Sequence, residues 1–392
     1  MGAEKLVVIG SGAAGVSAAC AYREAGGSGE IHLLSADQDP PYERPPLSKD
    51  LLRGETASDQ ISLVDEKTRK EQDIGLALGD PVVELGPDRA RTAAGRDYPF
   101  THCVLATGAE PVRPDLPGAD HPRVRVLRSL RDSGHLREAA MRAGEAIVAG
   151  AGFIGCEAAV SLARLGLRVT VLCPGPVPQL ARLGREAGEL IASWLAEEGV
   201  LLLPETELKS ITDGHIVRTG SGQDLDAGLI LLATGARPRA DLAEQAGLAI
   251  EDGRVRTDER MRTSRPGIFA AGDVALAYNA VAGRALPVEH WGEGLAMGEV
   301  AGRTAAGADA VWDAVPGFWS EIGDHTLKYA AWGDGFDHAR PVSGDDGKFT
   351  VWYERDGTAV GVLTHEADDD YERGTELIHA HRPLPQNLED AR

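Results

Sequence analysis

The sequence predicts an α/β chain with two doubly wound, parallel-sheet units and a smaller α+β segment at its C-terminal end. Three observations carry that expectation. An apolar run at 5–9, a small-residue stretch at 13–25 and an apolar run at 31–34 read as strand, helix and strand. The same order returns about 140 residues later, as strand 146–149, helix 153–165 and strand 168–172, a spacing too long for a solenoid repeat. From about residue 315 the pattern changes, and 348–354 and 359–364 alternate as two strands around the turn Asp356-Gly357.

Composition sets the bounds. The chain has 392 residues, enough for two or three domains with cores of their own. Its 48 glycines are about 12% of the chain, against a usual share of about 7%. They follow no triplet period, so they are expected at turns and close backbone approaches. A net charge of −21 argues against nucleic acid as a partner. Cys20, Cys103, Cys156 and Cys173 are far apart and form neither a Cys-x-x-Cys motif nor a metal-ligand spacing, which suits a reduced, cytoplasmic protein with no bound metal. Residues 1–5 run straight into the first strand, Leu6 breaks the Gly2 acylation pattern, and no apolar run reaches about 18 residues. No leader, lipid anchor or membrane span is therefore expected.

Between the regular elements, 110–122 is proline-rich and reads as a crossing segment. The charge cluster Glu366 to Asp370 reads as a solvated loop, and His379 and His381 as surface residues.

Both glycine turns carry chemistry. Gly10-Ser11-Gly12-Ala13-Ala14-Gly15 follows the first strand and opens the first helix. In such a turn the first glycine allows the tight bend and the second admits a pyrophosphate, while the third permits close helix–strand packing. Gly150-Ala151-Gly152-Phe153-Ile154-Gly155, followed by Cys156-Glu157, repeats this in the second unit. Two such turns call for two nucleotides, and a flavin with a nicotinamide is the economical pair. An acid should follow each second strand to hold an adenosine ribose. Asp37 is the candidate in the first unit, whereas the second has Cys173, which leaves NADH against NADPH open.

Further segments complete a pattern: Pro41-Tyr42-Glu43-Arg44-Pro45-Pro46-Leu47-Ser48-Lys49, Ala106-Thr107-Gly108-Ala109, Ala233-Thr234-Gly235-Ala236-Arg237-Pro238, Ile268-Phe269-Ala270-Ala271-Gly272-Asp273-Val274, Glu289-His290-Trp291 and Pro316-Gly317-Phe318-Trp319-Ser320. In this order they resemble the FAD-dependent, NAD(P)H-using ferredoxin reductases of oxygenase systems, relatives of apoptosis-inducing factor. The resemblance implies two Rossmann-like domains in a glutathione-reductase-like arrangement. It assigns 1–112 and 242–314 to a split FAD-binding domain, 113–241 to an NAD(P)H-binding domain, and 315–392 to an α+β domain flanking the flavin. FAD contacts are then expected from Gly10, Gly12, Ala13, Ala14, Gly15, Asp37, Arg44, Lys49, Val82, Ala106, Thr107, Gly108, Arg113, Gly272, Asp273, Val274, His290, Trp291 and Trp319. NAD(P)H contacts are expected from Gly150, Gly152, Phe153, Ile154, Gly155, Glu157, Cys173 and Gly235, with NADH slightly preferred. Lys49 and Glu157, the latter in the first turn of its helix, are the expected catalytic pair. The chain departs from the family at Ala36, at Cys173, and in Ser320-Glu321-Ile322-Gly323-Asp324-His325, where the family has a different run.

The implied activity is hydride transfer from NAD(P)H to FAD, then single-electron delivery to an iron–sulfur carrier such as a ferredoxin. An NAD(P)H oxidase or diaphorase without a protein carrier is one rival, and an NADH-sensing flavoprotein is another. A carrier of usually acidic character needs a basic patch. The run Arg123, Arg125, Arg128, Arg131, Arg137 and Arg142 is the available source, although it reads first as a solvated face.

Overall fold

A computed structural model describes residues 4–344 and 347–385. They fall into two compact units, the first drawing on residues up to 44, 58–110 and 237–317, the second on 45–57, 111–236 and the chain from 318 onward. Among the described residues no helix is long and apolar enough to cross a membrane.

The first unit is organised on a parallel sheet in the order Ile268–Ala270, His102–Leu105, Lys5–Ile9, Glu30–Leu34, Ile74–Ala77. Its central strand is covered on both faces, with Leu6, Val7 and Val8 fully buried, so it reads as a continuous apolar run rather than an alternation. Leu6 stands opposite both Ile31 and His102. Helix Ala13–Glu24 follows the first strand and lies against helix Trp291–Ala305. The two approach closely because their facing residues are small: a side-chain carbon on Gly298 would collide with the Ala14 carbonyl, and one on Gly302 with the Ala18 carbonyl.

The second unit repeats the plan, with parallel strands in the order Leu201–Leu203, Arg168–Leu172, Glu145–Ala149, Leu229–Leu232, Val124–Arg125. Ile147, Ala149, Leu172, Ile230 and Leu232 form its core with Ile211 and Val217. Helices Phe153–Arg164 and Leu180–Glu197 flank it, the latter kinked at Gly184, whose φ is 82°. Five further strands, Gly317–Ile322, His325–Ala331, Thr358–His365, Phe349–Arg355 and His338–Ser343 in that order, form the C-terminal sheet. Asp356 and Gly357, at φ 49° and 73°, make the left-handed turn that their sequence demands.

One expectation fails. Residues 368–370 are not loop but the first turn of helix Asp368–His379. Three aspartates there face the positive end of the helix dipole. Asp370 is buried and accepts a 2.6 Å hydrogen bond from the Thr350 hydroxyl, so the charge run marks a helix start. His379 is exposed on the last turn, and His381 stacks on Trp332 at 5.9 Å.

The packing of the two small-residue helices makes a prediction. Gly302→Ala is expected to cost about 1–3 kcal/mol, because overpacking forces the helices apart. A drop of a few degrees in the thermal melt of the first unit checks this.

Candidate active site

In the first unit the glycine turn is fixed by backbone crowding. Gly10 has φ 116° and lies so close to the Ala106 carbonyl that no side chain fits, and Gly15 lies equally close to the carbonyl of Gly10. Gly12 differs. A side-chain carbon there would meet nothing nearer than the Arg44 guanidinium, 3.8 Å away. Gly12 also caps helix Ala13–Glu24 without a side-chain bond, which leaves first-turn N–H groups, with Ala13 and Ala14, for an anion. A bare glycine, open donors and a neighbouring cation fit a dinucleotide pyrophosphate.

Asp37 lies just past strand Glu30–Leu34. Its carboxylate accepts from the Tyr42 hydroxyl at 2.7 Å and from the Asp39 N–H at 3.3 Å. The Ser35 hydroxyl bonds the Ser11 hydroxyl at 2.7 Å and accepts from the Asp37 N–H at 3.1 Å. The acid is thus held beside the glycine turn although it comes one residue later than the family pattern. The turn at Gly272, φ 76°, abuts Ala14 and brings half-buried Asp273 and buried Val274 alongside. The Thr107 hydroxyl donates to the Arg239 carbonyl at 2.7 Å, and the Gly108 carbonyl accepts from the Arg239 N–H at 2.8 Å. His290 caps the helix that Trp291 begins, and Val82 begins strand Val82–Leu85.

In the second unit Gly150, φ 111°, lies against the Ala233 carbonyl, and Gly155 against the Gly150 carbonyl. Gly152 is again the bare position: a side-chain carbon there would meet nothing nearer than the Gln179 Nε2, 3.8 Å away. Phe153 meets Phe318 edge to face at 4.7 Å, while Ile154 is 45% exposed. Gly235 bends at φ 108°, and its carbonyl accepts from the Val112 N–H at 2.9 Å. Cys173 directly follows strand Arg168–Leu172, and burial pushes its thiol up, so it offers a neutral side chain at the position expected to carry an acid.

Also in the second unit, Glu157 is buried and surrounded by donors. Its Oε2 accepts from the Ser48 hydroxyl at 2.5 Å and from Lys49 Nζ at 2.9 Å, and its Oε1 from the Ser320 hydroxyl at 2.7 Å and the Glu321 N–H at 3.4 Å. Lys49 Nζ also donates to the Pro45 carbonyl at 3.0 Å. One ammonium N–H is left without a partner among the described residues. The Ser161 hydroxyl, one turn on from Glu157, donates to the Ser48 carbonyl at 2.7 Å and fixes the short segment that carries both Ser48 and Lys49. The helix begins at Phe153, so Glu157 opens the second turn and not the first. Its acceptor positions are filled, which makes it an anchor for Lys49 rather than an open acceptor.

Two further expected FAD contacts lie in the second unit. The Arg113 guanidinium donates to the Ala119 and Val124 carbonyls at 2.6 and 3.2 Å, inside the second unit. Trp319 is 43% exposed on a strand whose next residue, Ser320, points inward to Glu157. Ser48, Ser320, Tyr42 and Gln179 join the site although their own sequence neighbourhoods do not mark them. Ser48, Tyr42 and Ser320 lie inside the motifs of the resembling family, beside Lys49, Arg44 and Trp319. Nothing local to Ser320 or Gln179 signals that they meet Glu157 and Gly152.

Residues 4–297 match the family model described as pyridine nucleotide-disulphide oxidoreductase. The chain is 34% identical to a rubredoxin–NAD(+) reductase of Pseudomonas putida, over 82% of this chain and 85% of that protein. It is 31% identical to rhodocoxin reductase of Rhodococcus erythropolis, over 98% of this chain and 92% of that protein. Among solved structures it is similar to a ferredoxin reductase from Rhodopseudomonas palustris, with TM-score 0.92 and 27% identity over 97% and 96% of the two chains. It is also similar to the reductase of a covalent putidaredoxin reductase–putidaredoxin complex, with TM-score 0.92 and 26% identity over 99% and 96%.

The ion pair makes a prediction. Glu157→Leu should destabilise the second unit by about 3–5 kcal/mol, since it strands the Lys49 ammonium in a buried site. Lys49→Met combined with Glu157→Leu should recover most of that loss in a urea titration, because no unpaired charge remains.

Proposed function

The chain belongs to the pyridine nucleotide-disulphide oxidoreductase family, and from that premise we propose that it moves hydride from NADH to FAD and sends single electrons to a small iron–sulfur carrier. Membership implies FAD and NAD(H) as the two nucleotides. One observation carries the rest: the protein has no sulfur acceptor of its own. All four cysteines are unpaired thiols. Burial raises Cys20 to about 11 and pushes Cys103 and Cys156 further up. A disulphide reductase needs a reactive thiolate beside its flavin, and protonated thiols, three buried and Cys20 half-buried, do not supply one. Electrons must therefore leave the protein. Relatives named as rubredoxin and ferredoxin reductases point to the class of receiver. Each NADH carries two electrons and each carrier takes one, so one NADH reduces two carriers and releases one proton.

FAD, when bound, supplies the conversion from a two-electron donor to one-electron acceptors. We assign it to the first glycine turn. Gly12, the first-turn N–H groups and Arg44 would meet its pyrophosphate, Asp37 its adenosine ribose, and Asp273 its ribityl chain. NAD(H) is assigned to the second turn. Lys49 serves as the fixed cation of the reaction, with Glu157, Ser48 and Ser320 holding it at one position. A preorganised charge in a water-poor site stabilises charge that moves during hydride transfer without reorganising.

NADH over NADPH is supported by the loop after the second strand. Residues 173–181 contain no lysine or arginine, and the first cation after the strand is Arg182. Glu205, whose N–H donates to the Gly175 carbonyl at 2.9 Å, adds a carboxylate on the adjoining turn. A neutral thiol and a nearby carboxylate at this strand end favour a nucleotide without a 2′-phosphate. The unpaired thiols also suit a reducing, cytoplasmic setting.

Stopped-flow flavin reduction by NADH and NADPH, followed by cytochrome c reduction with and without a [2Fe–2S] ferredoxin, tests this reading. Bleaching should be about tenfold or more faster with NADH, and cytochrome c should be reduced only when ferredoxin is added. Rapid oxygen consumption without a carrier would establish the oxidase instead, and slow reduction indifferent to ferredoxin would establish the sensor. Glu157→Gln should slow flavin reduction by about tenfold or more by loosening Lys49.

Thiol chemistry gives a second check. A raised thiol pKa lowers the thiolate fraction at a given pH, so reaction with an aromatic disulfide at pH 8 should be slow for all four cysteines in the folded protein. Denaturation should release all four.

A further inference from the structure

The two glycine turns share one backbone, yet different groups face their bare glycines. At Gly12 the neighbour is the Arg44 guanidinium, and at Gly152 it is the Gln179 carboxamide, each 3.8 Å from where a side-chain carbon would stand. Taking the second turn as the NAD(H) site, as argued above, we propose that Gln179 binds the pyrophosphate of the nicotinamide nucleotide and that its neutrality keeps this nucleotide exchangeable.

Three features support the assignment. Gln179 adopts φ 56° and ψ 20°, a left-handed conformation that a non-glycine residue rarely holds without cause. The surrounding structure imposes it. Val177 and Pro178 are buried against helix Leu180–Glu197 at Gly188, where any side chain would collide with them, and the Gln179 carbonyl accepts from the Arg182 and Leu183 N–H groups at 3.0 and 2.8 Å. The strained residue therefore points its carboxamide back at the glycine turn. That carboxamide has no hydrogen-bond partner among the described residues, so its N–H groups are available. Gly152 caps helix Phe153–Arg164 with no side-chain bond, so the same place offers backbone donors.

The contrast in charge matches two different duties. A cofactor that stays through every turnover suits a charge-assisted contact, about twice as strong as a neutral one. A substrate that enters reduced and leaves oxidised in each cycle suits a neutral donor, because tight product binding would limit turnover.

The experiment is calorimetric titration of the FAD-loaded protein with ADP-ribose, which has the pyrophosphate but no nicotinamide, for the wild type, Gln179→Gly and Gln179→Arg. Glycine relieves the left-handed strain, so Gln179→Gly should melt at or above the wild-type temperature while binding ADP-ribose about five- to tenfold more weakly. Gln179→Arg should bind ADP-ribose more tightly, with an affinity that falls as salt rises, and should release NAD+ more slowly. FAD content should not change in either variant. Wild-type affinity in a folded Gln179→Gly protein would overturn the role of Gln179. Failure of the wild type itself to bind ADP-ribose would overturn instead the assignment of NAD(H) to the second turn.

Discussion

One buried carboxylate ties the second unit together. Glu157 accepts from Ser48 and Lys49 on one stretch of chain and from Ser320 and Glu321 on another, more than a hundred residues away in sequence on either side. A charge removed from water is tolerable only when its donors are all in place, so these stretches stand or fall as a set. The set explains an otherwise odd routing of the chain, which leaves the first unit for residues 45–57 and then returns. That excursion is held at more than one point: the Leu47 carbonyl accepts from the Ser133 hydroxyl at 2.9 Å, and Arg53 reaches the Ser161 hydroxyl at 3.2 Å. Pro45 and Pro46 start the tight turn that presents Ser48 and Lys49, and their fixed φ reduces the disorder that must be lost to form it.

Much of this was legible from the residues. The two nucleotide units were readable because a strand, a glycine turn and a small-residue helix leave a mark within some thirty residues. The constraints behind it are local: Gly10 and Gly150 must bend at positive φ, and Gly15 and Gly155 must pass close to a carbonyl. Lys49 and Glu157 were legible only as members of a resembling family, since nothing in their immediate neighbours says that they meet. The serines that complete their cluster were not legible. A serine is common, and its role here is decided by what lies across the fold. The aspartates at 368–370 misled for a related reason: acidic runs are usually solvated, and only the partner hydroxyl of Thr350 shows that Asp370 turns inward.

The first unit shows the same logic applied to packing. Helix Ala13–Glu24 is lined with alanines and a glycine, and the helix packed on it carries Gly294, Gly298 and Gly302 on the facing side. Close approach there is what puts the turn at Gly272 against Ala14, so a segment near residue 272 reaches a turn near residue 12. The glycine excess thus serves two ends: 25 of the glycines bend the described chain at positive φ, and a smaller set lets helix meet helix and strand meet helix.

The sheltered thiols have a practical consequence for bioelectronics. A protein whose native sulfurs are protonated and largely enclosed is already close to cysteine-free as far as surface coupling chemistry is concerned. A single cysteine introduced on an exposed face would then be the favoured handle, without prior removal of the others. Tethering the protein to gold or to a redox mediator in one chosen orientation would become a one-substitution task.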